Sequence, residues 1–63
     1  MSGIGGRIRK ERLKRNLKQC ELAAKAKISN SYLSDIEVGR TDPSLKTLER
    51  IAKALEMDVR ELL

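Results

Sequence analysis

Apolar residues recur along this chain at the three- and four-residue spacing of helices, and nothing alternates with the period of two that marks a strand. Ile4, Ile8, Arg12 and Arg15 share one stripe, with Leu13 off it, which predicts a first helix from about Ile4 to Arg15. Asn16 follows, and asparagine tolerates the left-handed geometry that ends helices. A second helix is predicted from about Gln19 to Ala26, turning Leu22, Ala23 and Ala26 inward. Its start is poorly capped, because Lys18 stands where Ser, Thr, Asp or Asn is preferred. Ser29 is a good N-cap for a third helix from Asn30 to Val38, and Gly39 supplies the permissive position beyond its end.

Asp42-Pro43-Ser44 reads as a turn, with Ser44 capping a fourth helix whose inward stripe is Leu45, Leu48, Ile51, Ala52 and Leu55. Asp58 and Glu61 form a capping box for a last turn carrying Val59 and Leu62. The glycine-rich first six residues are expected to fray, at the least residues 1–3. The fold expected is all-α, five short helices in a single domain over 1–63, with two of them joined by a tight turn over about 19–38.

On a helical projection of residues 29–38, Leu33 and Ile36 point into the core, while Ser31, Ser34, Asp35 and Val38 point away. Asn30 and Tyr32 lie on the flanks. Any surface helix shows a polar outer face, so amphipathicity alone assigns no function. Here, however, the outward side chains are short enough to let the helix lie close to another surface. Glu37 falls on the inward side, where a carboxylate needs a partner. Arg12 lies on the inward stripe of the first helix, and an Arg12–Glu37 ion pair is predicted.

Composition then removes most functions. The 63 residues include no histidine, one cysteine and one aromatic residue, Tyr32, so no general base can be nominated and an enzyme is not expected. No metal site or cofactor is expected either. A chain this short buries only about 60% of the surface that it exposes when unfolded. A single thiol, no apolar h-region and no run near the roughly 20 apolar residues of a membrane span lead to the expectation of a cytoplasmic protein.

The net charge of +5 is unevenly placed. Residues 1–27 hold nine basic side chains against two acidic ones, and residues 28–63 hold five against seven. That asymmetry is the footprint of a surface that meets a polyanion, although charge runs are often no more than solvated faces. A helix laid in the major groove of DNA would let Asn30 pair with adenine N6 and N7, and let Ser31 and Ser34 donate or accept. Asp35 would accept from cytosine N4 or reject other bases. Gln19 at the start of the second helix, Tyr32 at the flank of the third and Arg40 just past Gly39 are the candidate phosphate anchors.

Three segments in order then carry a family resemblance. They are Gln19-x-x-Leu22-Ala23, Ile28-Ser29-x-Ser31-Tyr32-Leu33-Ser34-x-Ile36-Glu37-x-Gly39 and Pro43-Ser44-x-x-x-Leu48-x-x-Ile51-Ala52-x-Ala54-Leu55. Together they resemble the phage repressor/Cro-type helix-turn-helix domains over residues 4–63. The resemblance implies a five-helix, lambda-repressor-like domain that binds double-stranded DNA as a dimer on a pseudo-palindromic operator. It implies phosphate contact at Gln19, base reading at Asn30, Ser31 and Asp35, and an Arg12–Glu37 pair in the core. The chain departs from the pattern at Lys18 and at Lys27, which takes the turn position where the family usually has glycine; both are candidate phosphate contacts. No Lys or Arg occurs between Ile28 and Gly39.

The function expected is sequence-specific DNA binding by a bacterial or phage transcriptional regulator, a repressor. The alternative is an antitoxin-type protein-interaction module with DNA binding secondary, for which residues 56–63 leave little room. Cys20, near the start of the second helix, is the one nucleophile, which admits a redox-sensing role beside the plainer reading of a filler. Met57, Arg60 and Leu63 form a small exposed patch on this reading, too small for a strong interface. The chain is therefore expected as a monomer or weak dimer in solution and as two copies on DNA.

Overall fold

A computed structural model describes residues 3–63 as four α-helices and one 3-10 turn. They are α1 (Gly3–Lys14), α2 (Gln19–Ala26), α3 (Asn30–Glu37), α4 (Leu45–Ala54) and the 3-10 turn Val59–Glu61. The expected fifth helix is thus a single tight turn. Three residues make no complete α-helical turn, although Asp58 still accepts from the Arg60 N–H and Glu61 from the Asp58 N–H. No strand occurs among the described residues.

The core joins every element. Ile8 of α1, Leu22, Ala23 and Ala26 of α2, Leu33 and Ile36 of α3, Leu48, Ile51 and Ala52 of α4, and Leu55 and Leu62 form one buried cluster. Helix α2 lies between α3 and α4, α1 packs on α3, and the 3-10 turn closes on α4. Leu13 is half exposed, as its place off the α1 stripe requires. Leu45 departs from expectation. It is 61% exposed, because it is the first residue of α4, where the helix has not yet reached the core.

The expectation that the first six residues fray is overturned from Gly3 onward; Met1 and Ser2 lie outside the described residues. Helix α1 already contains Gly3, Gly5 and Gly6, and Gly5 is buried. A Cβ on Gly5 would collide with the Ile36 carbonyl oxygen and stand 3.0 Å from the Glu37 carbonyl oxygen. The glycine is therefore the point where α1 meets the C-terminal end of α3 backbone to backbone. Helix propensity counted against it, and the close approach decided.

Every α-helix ends in the same device. The residues at Asn16, Lys27, Gly39 and Glu56 adopt positive φ (56°, 60°, 84° and 58°). In each case two N–H groups reach back across the end, as in Ile28 N–H to Ala23 O (3.0 Å) and Lys27 N–H to Ala24 O (3.2 Å). This is the Schellman arrangement, usually built on glycine. Here only one of the four is glycine. At the other three the next residue, Leu17, Ile28 or Met57, packs against the core and holds the turn closed. Met57 is consequently half-buried, which removes it from the exposed patch expected with Arg60 and Leu63.

Candidate nucleic-acid interface

Helices α2 and α3 and the turn between them are set by caps at both ends. The Ser29 hydroxyl accepts from the Tyr32 N–H at 3.0 Å, as its residue type predicts. Lys18 has no side-chain acceptor, and the start of α2 is secured from the other side. The Glu21 carboxylate accepts from the Lys18 N–H at 2.7 Å, so half a capping box replaces the missing cap. Lys27 holds the left-handed turn at φ 60°, ψ 43°. For a residue with a Cβ that conformation costs roughly 1–2 kcal/mol.

Beneath α3 lies a charged pair that fixes its orientation. Arg12 Nε donates to Glu37 Oε2 at 2.8 Å and Nη2 donates to Oε1 at 2.9 Å, a two-pronged contact between side chains that are nearly enclosed. The remaining prong, Nη1, donates to the Leu17 carbonyl at 2.9 Å. No buried side-chain polar atom among the described residues lacks a partner. The hydrogen bond to Glu37 raises the Arg12 pKa above its ordinary value, against a smaller opposing effect of burial.

Gln19 connects this pair to the surface. Its Nε2 donates to Glu37 Oε1 at 3.3 Å, and its Oε1 accepts from Asn30 Nδ2 at 3.4 Å. Sequence reasoning named all three residues but missed the link, because nothing in a sequence aligns the start of α2 with both ends of α3. Asn30 retains one amide hydrogen and its Oδ1, the two groups that adenine pairing requires.

Along the outer face of α3, Asn30 and Ser31 are exposed, and Ser34 and Asp35 are partly so. Neither serine side chain has a hydrogen-bonding partner among the described residues. Arg40 Nη1 approaches Asp35 Oδ1 at 3.5 Å, which places the loop cation beside this face. Tyr32 is half-buried against the core. Lys18 and Lys27 are exposed at opposite ends of α2. Lys27 also lines a cleft of about 490 Å³ with Lys25, Arg50, Lys53 and Glu56, to which α3 contributes no side chain. The structure thus groups Gln19, Asn30, Ser31, Ser34, Asp35 and Arg40 around α3, and sets Lys27 to one side.

The described residues hold no cluster suited to a metal, and Cys20 is exposed and unpaired. No helix of the described residues is long and apolar enough to cross a membrane. What the geometry offers is a short helix of small polar groups, held rigidly from below. A family model described as helix-turn-helix matches residues 8–62. The chain belongs to the helix-turn-helix family.

Among relatives of this helix-turn-helix chain, the immunity repressor protein of Bacillus phage phi105 is 52% identical over 56 residues, 89% of this chain and 39% of that protein. A solved structure of SinR, titled as the master regulator for biofilm formation in complex with DNA, superposes with a TM-score of 0.89 at 38% identity, covering 94% of this chain and 95% of that one. The P22 c2 repressor in complex with a synthetic operator superposes at 0.90 with 32% identity, covering 100% and 96%. The chain spans between 39% and 66% of the length of the first three curated relatives it matches.

Proposed function

We propose that this chain binds double-stranded DNA sequence-specifically and regulates transcription inside the cell as a repressor, with α3 as the helix that enters the major groove. The observation that carries the reading is the outer face of α3, short and polar from Asn30 to Asp35 and anchored from below through Glu37 and Gln19. Asn30, Ser31, Ser34 and Asp35 are the base-reading residues, and Gln19, Lys18, Lys27, Tyr32 and Arg40 meet phosphates. The complexes of SinR and of the P22 c2 repressor with DNA support it by likeness. The 63 residues act as one domain. A pseudo-palindromic operator takes two copies on half-sites about 10–10.5 bp apart, one helical turn.

Selection of bound duplexes from a random pool tests the function, followed by titration of the best sequence against salt. Lys18, Lys27 and Arg40 on two protomers would neutralise about six phosphates, so log K is expected to fall with log salt at a slope near −5. Equal affinity for every duplex would refute sequence-specific binding.

A further inference from the structure

Val38 is 65% exposed, the most exposed large apolar side chain of the described residues. A single exposed valine needs no explanation by itself. Its place does. Val38 follows Ser31 by seven residues, Ser34 by four and Asp35 by three, so it continues the outward stripe of α3 at its C-terminal end. As the C-cap residue, at φ −88° and ψ −2°, it continues the helical path instead of turning into the loop. Gly39 beyond it carries no side chain, and a Cβ there would meet nothing within 4 Å. Ser31 and Ser34 are too short to hold the helix off a surface, and valine, branched at Cβ, has few rotamers to lose on contact.

The chemistry of the stripe leaves one kind of contact open to Val38. Guanine is read most often by a two-pronged Arg or Lys, and residues 28–39 contain neither. Asp35 presents only acceptors, so the groove-edge groups open to it are the amino groups of cytosine and adenine, and Arg40 approaches it at 3.5 Å. Asn30 has the donor and acceptor that adenine accepts. What remains apolar in the major groove is the C5-methyl of thymine.

We infer that Val38 packs against a thymine C5-methyl, so that the α3 face selects an A·T pair at that one position. This rests on the DNA-binding reading above. The test uses the best duplex selected from a random pool, with each thymine of one half-site replaced in turn by deoxyuridine, which keeps the pairing edge and loses the methyl. At one position the wild-type chain should bind about three- to five-fold more weakly, the effect of exposing one buried methyl. Val38→Ala should bind the parent duplex more weakly and lose that sensitivity, while its circular dichroism melting curve stays that of the wild type.

Sensitivity at the same thymine retained by Val38→Ala, or no sensitive thymine in a duplex that is bound selectively, overturns the inference and leaves the DNA reading standing. Absence of any sequence preference in the selection removes both.

Discussion

Replacing Glu37 by alanine removes one partner of the pair that ties α1 to α3 and leaves the other enclosed. Arg12 keeps only its 2.9 Å bond to the Leu17 carbonyl, and Gln19 Nε2 loses its acceptor. Breaking a buried ion pair from one side costs about 3–5 kcal/mol. A domain of this length is stable by about 3–9 kcal/mol in total. Each kcal/mol is worth about 4–8 °C in Tm at this size, so Glu37→Ala should lower Tm by at least about 12 °C. Thermal and urea unfolding followed by circular dichroism measure it.

A second variant separates an unpaired charge from lost packing. Buried pairs replaced on both sides by apolar residues of similar volume are often neutral or better. Arg12→Met with Glu37→Leu leaves the Leu17 carbonyl without its donor, a penalty of about 1–3 kcal/mol, so the double variant should lie well above Glu37→Ala and within about 3 kcal/mol of wild type. A Glu37→Ala chain within about 0.5 kcal/mol of wild type would refute the argument. A double variant no more stable than Glu37→Ala would show that the uncompensated guanidinium is not the cause.

Gly5→Ala should destabilise by about 1–3 kcal/mol, since the new methyl meets the backbone of Ile36 and Glu37; Gly6→Ala, with open space around it, should stabilise by about 0.5–1 kcal/mol, and equal effects in urea melts would discount the close approach. Lys27→Gly relieves the left-handed strain and should raise stability by up to about 1 kcal/mol, yet weaken DNA binding and flatten its salt slope by nearly one unit per protomer; unchanged affinity would remove Lys27 from the phosphate contacts. Hydrogen bonding to Arg15, helped by Lys14, holds the Glu11 carboxyl below its ordinary pKa, and Arg60, through its side chain and then its backbone N–H, does the same for Asp58. A carboxyl depressed on folding stabilises fully above its unfolded pKa and ceases to do so as pH falls through the folded value. Stability should therefore decline only on entering the carboxylate range from above, and Glu11→Gln with Asp58→Asn should flatten that decline in thermal melts; an unaltered profile would count against both contacts.

How much of this was legible in the sequence depends on whether the cause was local. Ser29 and Ser44 cap the helices they precede, and the bounds of α2 match the expectation, because caps and apolar spacing act within a few residues. The Arg12–Glu37 pair was legible across 25 positions, because two charges on inward stripes leave each other as the available partner. Gly5 was not. Its role depends on how closely two backbones approach, which no spacing encodes. Glu56 is similar: nothing in its own type favours positive φ, and the turn is held by Met57 in the core.

The interface itself divides along the same line, and the division bears on specificity. The residues that must hold direction, Glu37 and Gln19, are ordered when the chain folds, so their entropy is lost before any ligand arrives. Ser31 and Ser34 have short side chains with little rotamer freedom to lose, and ordering them on contact costs little. Asn30 lies between these cases. Its bond to Gln19, at 3.4 Å, is at the long end of hydrogen bonding, which orients the amide without holding it against a competing base. A rigid base carrying short, loosely engaged tips is a cheap way to read a groove edge. On the proposed reading α3 needs no lysine or arginine of its own, since the cations that would meet phosphate, Lys18, Lys27 and Arg40, stand at the ends of α2 and in the loop beyond α3.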